Sequence, residues 1–487
     1  MAKTYLLELD RSRQDEPLYA AIARALSSDI ARGRLKPGER LPGSRTLASM
    51  LGVNRNTVHA ALAELEAQGW VESQPARGVF VRAPDVSDSP RPFSRLAPLR
   101  SQMPSRVGFD LSEGSSRRIG RAREAEPLLL TGGVPDPRLF PSALLARAYR
   151  RVLKSHGERL LDYGDAYGDA QLRRALADML SRLRGLAAGP DDLLITRGSQ
   201  QAIWLAASCL LEPGARIGVE SWGYPPAWQA FRSTRAELVP LEVDGEGLRI
   251  DALERALAQG ALRAVYLTPH HQYPTMVPLS ARRRLLLLEL ARRHRFAIIE
   301  DDYDHEFQYE GRPRLPIASA DRSGQVVYIG TLSKILAPGL RIGYVVAPRP
   351  LLERMAALRT IVDRQGDAAS EAAVAELLDD GELERHTRRM RRVYGERRTV
   401  LARALEEQLG DRISFELPPG GMALWLRVHG TKPTAWVERA RARGVLFRAG
   451  RELSLVDRGD VPFVRMGFTR LDEAELVRAV RAVARVF

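Results

Sequence analysis

Cysteine is almost missing from this 487-residue chain, which has only Cys209. An internal disulfide is therefore excluded, and a reducing compartment such as the cytoplasm is expected. Cys209 lies in the apolar run Ile203–Leu211, so it reads as a small buried hydrophobe rather than a reactive thiol. The chain also lacks any run of about 18 uninterrupted apolar residues, so no transmembrane helix is expected. Its first residues show neither the apolar core nor the cleavage pattern of a signal peptide. There is no internal repeat, and no metal site is expected. With 45% hydrophobic and 28% charged residues, the composition is that of a soluble globular protein long enough for two or more cores. The net charge of +14 points only weakly to a polyanionic partner, because it is spread out. Residues 1–83 hold 12 basic and 9 acidic side chains, and residues 84–126 hold 8 and 6.

The most informative stretch is Val326-Val-Tyr-Ile-Gly-Thr-Leu-Ser-Lys-Ile-Leu-Ala-Pro-Gly-Leu-Arg-Ile-Gly-Tyr344. It reads as a buried strand, Val326–Ile329, a polar turn carrying Lys334, a Pro-Gly break and a second apolar run. The Lys334 amine suits a Schiff base with a carbonyl cofactor. The hydroxyls of Thr331 and Ser333 and the guanidinium of Arg341 suit a phosphate. Pyridoxal phosphate needs both at once. The segment resembles the lysine motif of fold-type I pyridoxal-phosphate enzymes, Ser-x-Ser-Lys followed by Pro-Gly-Leu-Arg-x-Gly, with Thr331 at the first serine.

Residues 17–82 read as a different kind of unit. Pro17 to Gly33 opens on proline, closes on glycine and repeats its apolar side chains with helical spacing. Ser44 is a plausible cap for a short helix ending near Leu51, and Gly52 turns the chain. Asn54 caps a helix from Arg55 to Gln68 with Val58, Leu62 and Leu65 as its apolar stripe. Trp70 to Arg82 then reads as two short strands around a tight loop. Helix, turn, helix and β-wing make a winged helix-turn-helix. The segment resembles the GntR-type DNA-binding domain, including its Leu-Pro-x-Ser-Arg and Gly-x-x-Val motifs. That resemblance implies double-stranded DNA as partner, with Arg45, Arg55, Asn56, Thr57, His59 and Arg77 as contacts. Arg45 and Arg77 are expected mostly on phosphates, and Arg55, Asn56 and Thr57 near base edges.

Residues 84–126, with five prolines and many serines and arginines, read as a flexible linker. Its Arg91, Arg95, Arg117, Arg118 and Arg121 serve solubility or brush DNA. From about Pro127 strands alternate with helices, the pattern of an α/β domain. Apolar runs at Arg216–Val219, Ala264–Leu267 and Phe296–Ile299 alternate with helical stretches such as Ser280–His294. Long charged helices from about Pro350 and shorter strands near Met422–Val428 and Phe463–Phe468 predict a smaller C-terminal α+β part. The expected division is a winged helix in 1–83, a linker in 84–126 and a body in 127–487, its large part ending near 349.

The strand Ile298-Ile-Glu-Asp-Asp-Tyr-Asp-His-Glu-Phe307 ends in carboxylates, where open α/β sheets place ligand groups. An ionised Asp301 suits a protonated pyridine nitrogen, and Tyr303 suits the ring oxygen beside the aldehyde. Gly198, Ser199 and Gln200 start a helix whose free N–H groups suit a phosphate. Tyr224 is placed to stack on a ring. The 298–307 segment resembles the Glu-Asp-Asp-Tyr-Asp-x-Glu-Phe motif of MocR-type regulators, which selects Asp301 over Asp302. By resemblance, Tyr163 reaches the phosphate of a neighbouring subunit in a homodimer, and His271 and Gln272 bond near the ring. Met276 stands where the family's loop usually has glycine. Also by resemblance, Arg465 pairs with a substrate or effector carboxylate, against a structural salt bridge as the competing reading.

A winged helix fused to an aminotransferase-like body resembles, over residues 17–82 and about 127–487, the MocR family of transcription regulators. The resemblance implies a PLP-dependent regulator in which the cofactor or an amino-group effector, bound as an aldimine at Lys334, alters promoter binding. Cofactor itself, ω-amino acids, taurine-like sulfonates and ectoine-related amines are the effectors it admits. Pro226 stands where some members grip a substrate acid with arginine, which argues against that one grip. Two rivals remain open: a working aminotransferase with an accessory DNA-binding domain, and a DNA-binding protein whose body only dimerises.

Overall fold

The computed structural model describes residues 17–75, 77–82, 108–110, 127–312 and 314–487. The expected linker 84–126, with its arginines, lies outside the described residues except for 108–110. The chain divides into two compact units after Gly120, and each is described by itself.

In the first unit, helices α1 (Leu18–Ala31), α2 (Ser44–Leu51) and α3 (Arg55–Ala67) precede the antiparallel strands β1 (Val71–Gln74) and β2 (Gly78–Val81). Ile22, Leu26, Leu47, Val58, Leu62 and Leu65 recur at helical spacing and form one core with Val71 and Val81. Asn54 caps α3 as expected, its Oδ1 accepting from the Asn56 N–H at 2.9 Å. Ser44 does not cap α2. It is the first helical residue, the N-cap Gly43 offers no side chain, and Ser44 Oγ instead accepts from Arg55 Nε at 3.2 Å. The two helices of the helix-turn-helix are thus joined by a polar contact at their N-terminal ends.

The second unit is organised on a seven-stranded sheet. Its strands are β3 (Leu193–Thr196), β4 (Arg216–Glu220), β5 (Glu237–Leu241), β6 (Ala264–Leu267), β7 (Ala297–Asp302), β8 (Val326–Thr331) and β9 (Gly343–Val346), in the order β3-β9-β8-β7-β6-β4-β5. The pairs among β8, β7, β6, β4 and β5 are parallel, and β9 is antiparallel to both its neighbours. The buried faces of the central strands are nearly continuous apolar runs, as a sheet covered on both sides requires. Ile298, Val326 and Tyr328 face one core, and Ile299, Val327 and Ile329 face the other.

A second sheet joins Ile413–Ser414, Ala423–Val428, Phe463–Gly467 and Arg448–Ala449 in that order. The helices Glu382–Leu409 and Glu473–Ala484 pack with it around Trp436, whose Nε1 donates to the Val483 carbonyl at 3.0 Å. The boundary between the two layers differs from the one expected near 349. The helix Arg349–Val362 packs Leu352, Met355 and Ala356 against the large sheet, and Ala368–Asp379 lies along the helices Ser142–Leu161 and Ala170–Arg184. The body's first strand, Leu128–Leu129, pairs in parallel with Val445–Leu446 and so belongs with the C-terminal layer. Among the described residues, no helix is long and apolar enough to cross a membrane.

Candidate cofactor site and DNA-binding face

A cavity of about 210 Å³ opens at the C-terminal ends of the parallel strands. Ser199 follows β3, Tyr224 follows β4, Thr268 and Tyr273 follow β6, Asp301 and Tyr303 come from the end of β7, and Lys334 follows β8; all line it. Thr131 to Val134 and Arg448 complete the wall.

Lys334 is the cavity's amine. Its Nζ donates to the Gly133 carbonyl at 2.5 Å, and burial lowers its basicity below that of an ordinary lysine. A larger share of neutral amine is what a nucleophilic lysine needs. Asp301 is 4% exposed, and its Oδ2 accepts from the Tyr266 hydroxyl at 2.8 Å. Burial pushes its carboxyl up to about 7, and its Oδ1 has no partner. An unmet buried acceptor is costly unless a donor is supplied there, and a protonated ring nitrogen is such a donor.

The anion-binding features gather at the start of the helix Gly198–Leu210. Its N-cap, Arg197, makes no side-chain cap, so the first N–H groups are left for a ligand. Gly198 has φ +75°, and a Cβ there would sit 3.1 Å from the Arg341 guanidinium. Gly343 crosses so closely that its Cβ would lie 2.5 Å from the Gly198 carbonyl carbon. Arg341 itself donates to the Arg197 carbonyl at 2.8 Å. Ser333 Oγ is buried without a partner, whereas the Thr331 hydroxyl is used inside the turn: it accepts from the Ser333 N–H at 3.1 Å and donates to the Ile342 carbonyl at 3.3 Å. Gln200 Nε2 donates to the Pro226 carbonyl at 2.9 Å, and its Oε1 is unpartnered. Of the residues expected at a phosphate, Ser199 lines the cavity, while Thr331, Ser333, Gln200 and Arg341 are not part of its lining; the Arg341 guanidinium lies beside Gly198 at the helix start.

Tyr224 is half-buried with its ring edge-on to Tyr273, centroids 5.4 Å apart, and burial raises its hydroxyl pKa to about 12. Tyr303 lines the cavity, but its hydroxyl donates to the His271 carbonyl at 3.1 Å. His271 and Gln272, expected near the ring, do not line the cavity. The His271 ring is held away from the cavity wall by Asp304 (Nδ1 to Oδ1, 2.7 Å) and Gln308 (3.2 Å). Gln272 spends its amide on the Trp222 and Tyr273 carbonyls. The turn they belong to keeps a glycine-like conformation at Met276, φ +65°, held by its N–H bond to the Gln272 carbonyl at 2.7 Å.

Arg465 is fully buried on Phe463–Gly467. Its Nη1 donates to the Thr131 carbonyl at 3.0 Å, and its guanidinium lies 4.4 Å from the Tyr273 ring centre. Its Nε and Nη2 have no partner, and among the described residues it forms no salt bridge. A buried guanidinium with two idle donors calls for an anion. Tyr163 is 74% exposed with Arg364 stacked 4.0 Å over its ring, and Leu161, Ile361 and Val362 are exposed too. It does not line the cavity of its own chain.

Tyr266, Tyr273, Arg448 and the Gly132-Gly133 turn are site residues that motif reading missed. The signal for the glycines was the Gly-Gly pair itself: both take positive φ, +75° and +68°, and a Cβ on Gly132 would collide with the Arg465 guanidinium.

In the first unit, Arg45, Arg55, Asn56, His59 and Arg77 are exposed and Thr57 is half-buried. Arg55 and Asn56 open α3, and Arg77 lies in the wing turn, where its N–H donates to the Gln74 carbonyl at 3.1 Å. Arg40, not foreseen, packs its guanidinium over Gly78 of the wing.

Comparison with known proteins covers both units. Residues 18–81 match the model for "Bacterial regulatory proteins, gntR family", and residues 128–483 match "Aminotransferase class I and II". The HTH-type transcriptional regulator TauR of Rhodobacter capsulatus is 33% identical over 96% of each chain. The probable rhizopine catabolism regulatory protein MocR of Rhizobium meliloti is 32% identical over 87% of this chain and 84% of its own. Among solved structures, the α-aminoadipate aminotransferase LysN of Thermus thermophilus, complexed with N-(5'-phosphopyridoxyl)-L-leucine, aligns with a TM-score of 0.69 and 29% identity. That alignment covers 74% of this chain and 92% of LysN.

Proposed function

This chain belongs to the MocR-type transcription regulators, a GntR-type winged helix joined to an aminotransferase class I and II body, and from that premise we propose that pyridoxal phosphate or an amine bound at the Lys334 cavity changes its affinity for promoter DNA. The observation that carries this reading is the pairing, in one buried cavity, of a Lys334 amine of lowered basicity with an unpartnered Asp301 Oδ1. Bound pyridoxal phosphate supplies an aldehyde for an amine and an electron-withdrawing ring.

The chain's own residues do the rest. Lys334 is the covalent anchor, and Asp301 holds a proton at the ring nitrogen. Ser199, Ser333, Arg341 and the first N–H groups of the helix Gly198–Leu210 hold the phosphate. Tyr224, which lines the cavity, would pack on the ring, and Arg465 would take the carboxylate of an amino-acid effector through its idle donors. Tyr163, exposed and absent from its own cavity, supports completion of the site by a second copy in a homodimer. Two winged helices then meet two half-sites, and the effector acts by binding one arrangement of the dimer more tightly than another.

The Arg465 donors also favour a second reading, a working aminotransferase, because an amino-acid substrate presents the same carboxylate. Turnover separates the two. A regulator converts amino acid plus 2-oxo acid for few cycles, whereas sustained conversion unaffected by deleting residues 1–83 overturns the regulatory reading. Arg465→Met is expected to remove the preference for an ω-amino acid over the matching alkyl amine. The loss is on the order of tenfold or more, from about 1.5–3 kcal/mol for a charged hydrogen bond. Absorbance titration with each ligand reads it, and an unchanged preference refutes the role of Arg465.

A further inference from the structure

Successive residues of a strand face opposite sides of the sheet, so Asp301 and Asp302 at the end of β7 serve different places. Asp301 lines the Lys334 cavity. Asp302, 3% exposed, lies on the other face. It meets two histidines there. His305 comes from the turn three residues on, and His270 from the segment following β6. The parallel register that sets Glu300 beside Leu267 brings those two strand ends level. One potential ligand atom from each of His270, Asp302 and His305 lies within 4.8 Å of the others.

The cluster is poorly satisfied as it stands. His270 is 5% exposed, stacks on His305 with centroids 4.3 Å apart, and has no hydrogen-bond partner at either ring nitrogen. Asp302 Oδ1 is unpartnered too. Asp302 Oδ2 pairs with His305 Nδ1 at 2.9 Å and accepts from the Tyr328 hydroxyl at 2.7 Å. An Nδ1–H at that contact leaves His305 Nε2 with its lone pair free. Arg184 Nη1 lies 3.6 Å from Asp302 Oδ2, but the guanidinium also pairs with Glu306 and donates to the Tyr328 and Tyr344 hydroxyls. Arg284, the other nearby cation, is spent on the carbonyls of Leu279, Leu315 and Pro269. Both ring nitrogens of His270 and Asp302 Oδ1 are thus three buried polar atoms left unmet, which is costly.

We propose that His270, Asp302 and His305 bind one divalent transition-metal ion of the zinc or cobalt class, back to back with the cofactor cavity across the sheet. Two imidazoles and a carboxylate are the donor set such ions take with a fourth, open position. A second cavity, about 250 Å³ and lined by Arg184, His305, Glu306 and Thr387, reaches the cluster and has room for a water as fourth ligand. The ion ties the segment after β6 to the turn after β7, the two segments that also carry Tyr273 and Tyr303.

The test uses the full chain without a histidine tag, treated with chelator and then given Co²⁺ alone. One equivalent is expected to bind with the intense visible bands of four-coordinate cobalt and to raise the melting temperature by several degrees. His270→Ala and His305→Ala are each expected to weaken binding by about 100-fold or more, since loss of even a supporting partner costs 10- to 100-fold. Replacing the exposed His429 changes nothing. Absence of a single stoichiometric site, or binding unmoved by His270→Ala, overturns the proposal. Should both variants fail to fold, X-ray absorption on the zinc-loaded wild type decides: a first shell with two imidazole nitrogens supports the site, and one without them refutes it.

Discussion

Alanine at position 334 is expected to yield a folded chain that no longer shows the visible absorption band of lysine-bound pyridoxal phosphate. In the structure the Lys334 Nζ has the Gly133 carbonyl as its hydrogen-bond partner, so removing it costs one hydrogen bond, about 1 kcal/mol, and relieves a buried amine. The melting temperature of the apo-protein should therefore move by only a few degrees. On the proposed reading, cofactor retention should fall sharply, because Asp301 and the proposed phosphate groups would hold it without a covalent bond. Absorbance after gel filtration reads the effect. A variant that keeps the band places the anchoring amine elsewhere.

The second large effect is expected at the start of α3. Arg55 and Asn56 are exposed there, and the Asn56 side chain can be removed without disturbing the cap, which uses its backbone N–H. Each base-edge contact is worth about 1–3 kcal/mol, and a dimer makes every contact twice. Arg55→Ala with Asn56→Ala should therefore lower affinity for a specific duplex by about 100-fold or more, while affinity for random DNA barely changes. Arg45→Ala is the contrast. A phosphate contact weakens all sequences alike and flattens the salt dependence. Binding isotherms on specific and random duplexes at several salt concentrations separate the two roles. Equal losses on both DNAs would remove Arg55 and Asn56 from base reading.

Much of this architecture was legible because its signals are local. The stripe Val58, Leu62 and Leu65, the apolar run Ala264–Leu267 and the helix ending at His294 appear where periodicity puts them. Lys334 and Asp301 were legible as polar residues delivered from strand ends. Other features depend on contacts that no local pattern encodes. The pairing of Leu128–Leu129 with Val445–Leu446 spans more of the chain than any periodicity reports.

Arginine misled the layer boundary. Arg359 reads as a surface charge, yet it is fully buried and donates to the Ala166 and Ile195 carbonyls, tying its helix to the large sheet. Arg184 is hidden in the same way. The partner of His271 was hidden for a related reason, since Asp304, on the turn after β7, holds its ring. His270 and His305 become neighbours only through the register of β6 and β7, which is why no metal site was expected from their spacing.

Sensing is decided most directly by one titration of DNA affinity. A duplex selected from random sequence by the full chain is bound by wild type and by Lys334→Ala, each with and without pyridoxal phosphate and an ω-amino acid. Wild-type affinity should shift by about tenfold or more on ligand addition, which needs about 1.4 kcal/mol of coupling, while the variant stays unchanged. Identical wild-type affinities under every condition would contradict a regulator that reads its cofactor cavity.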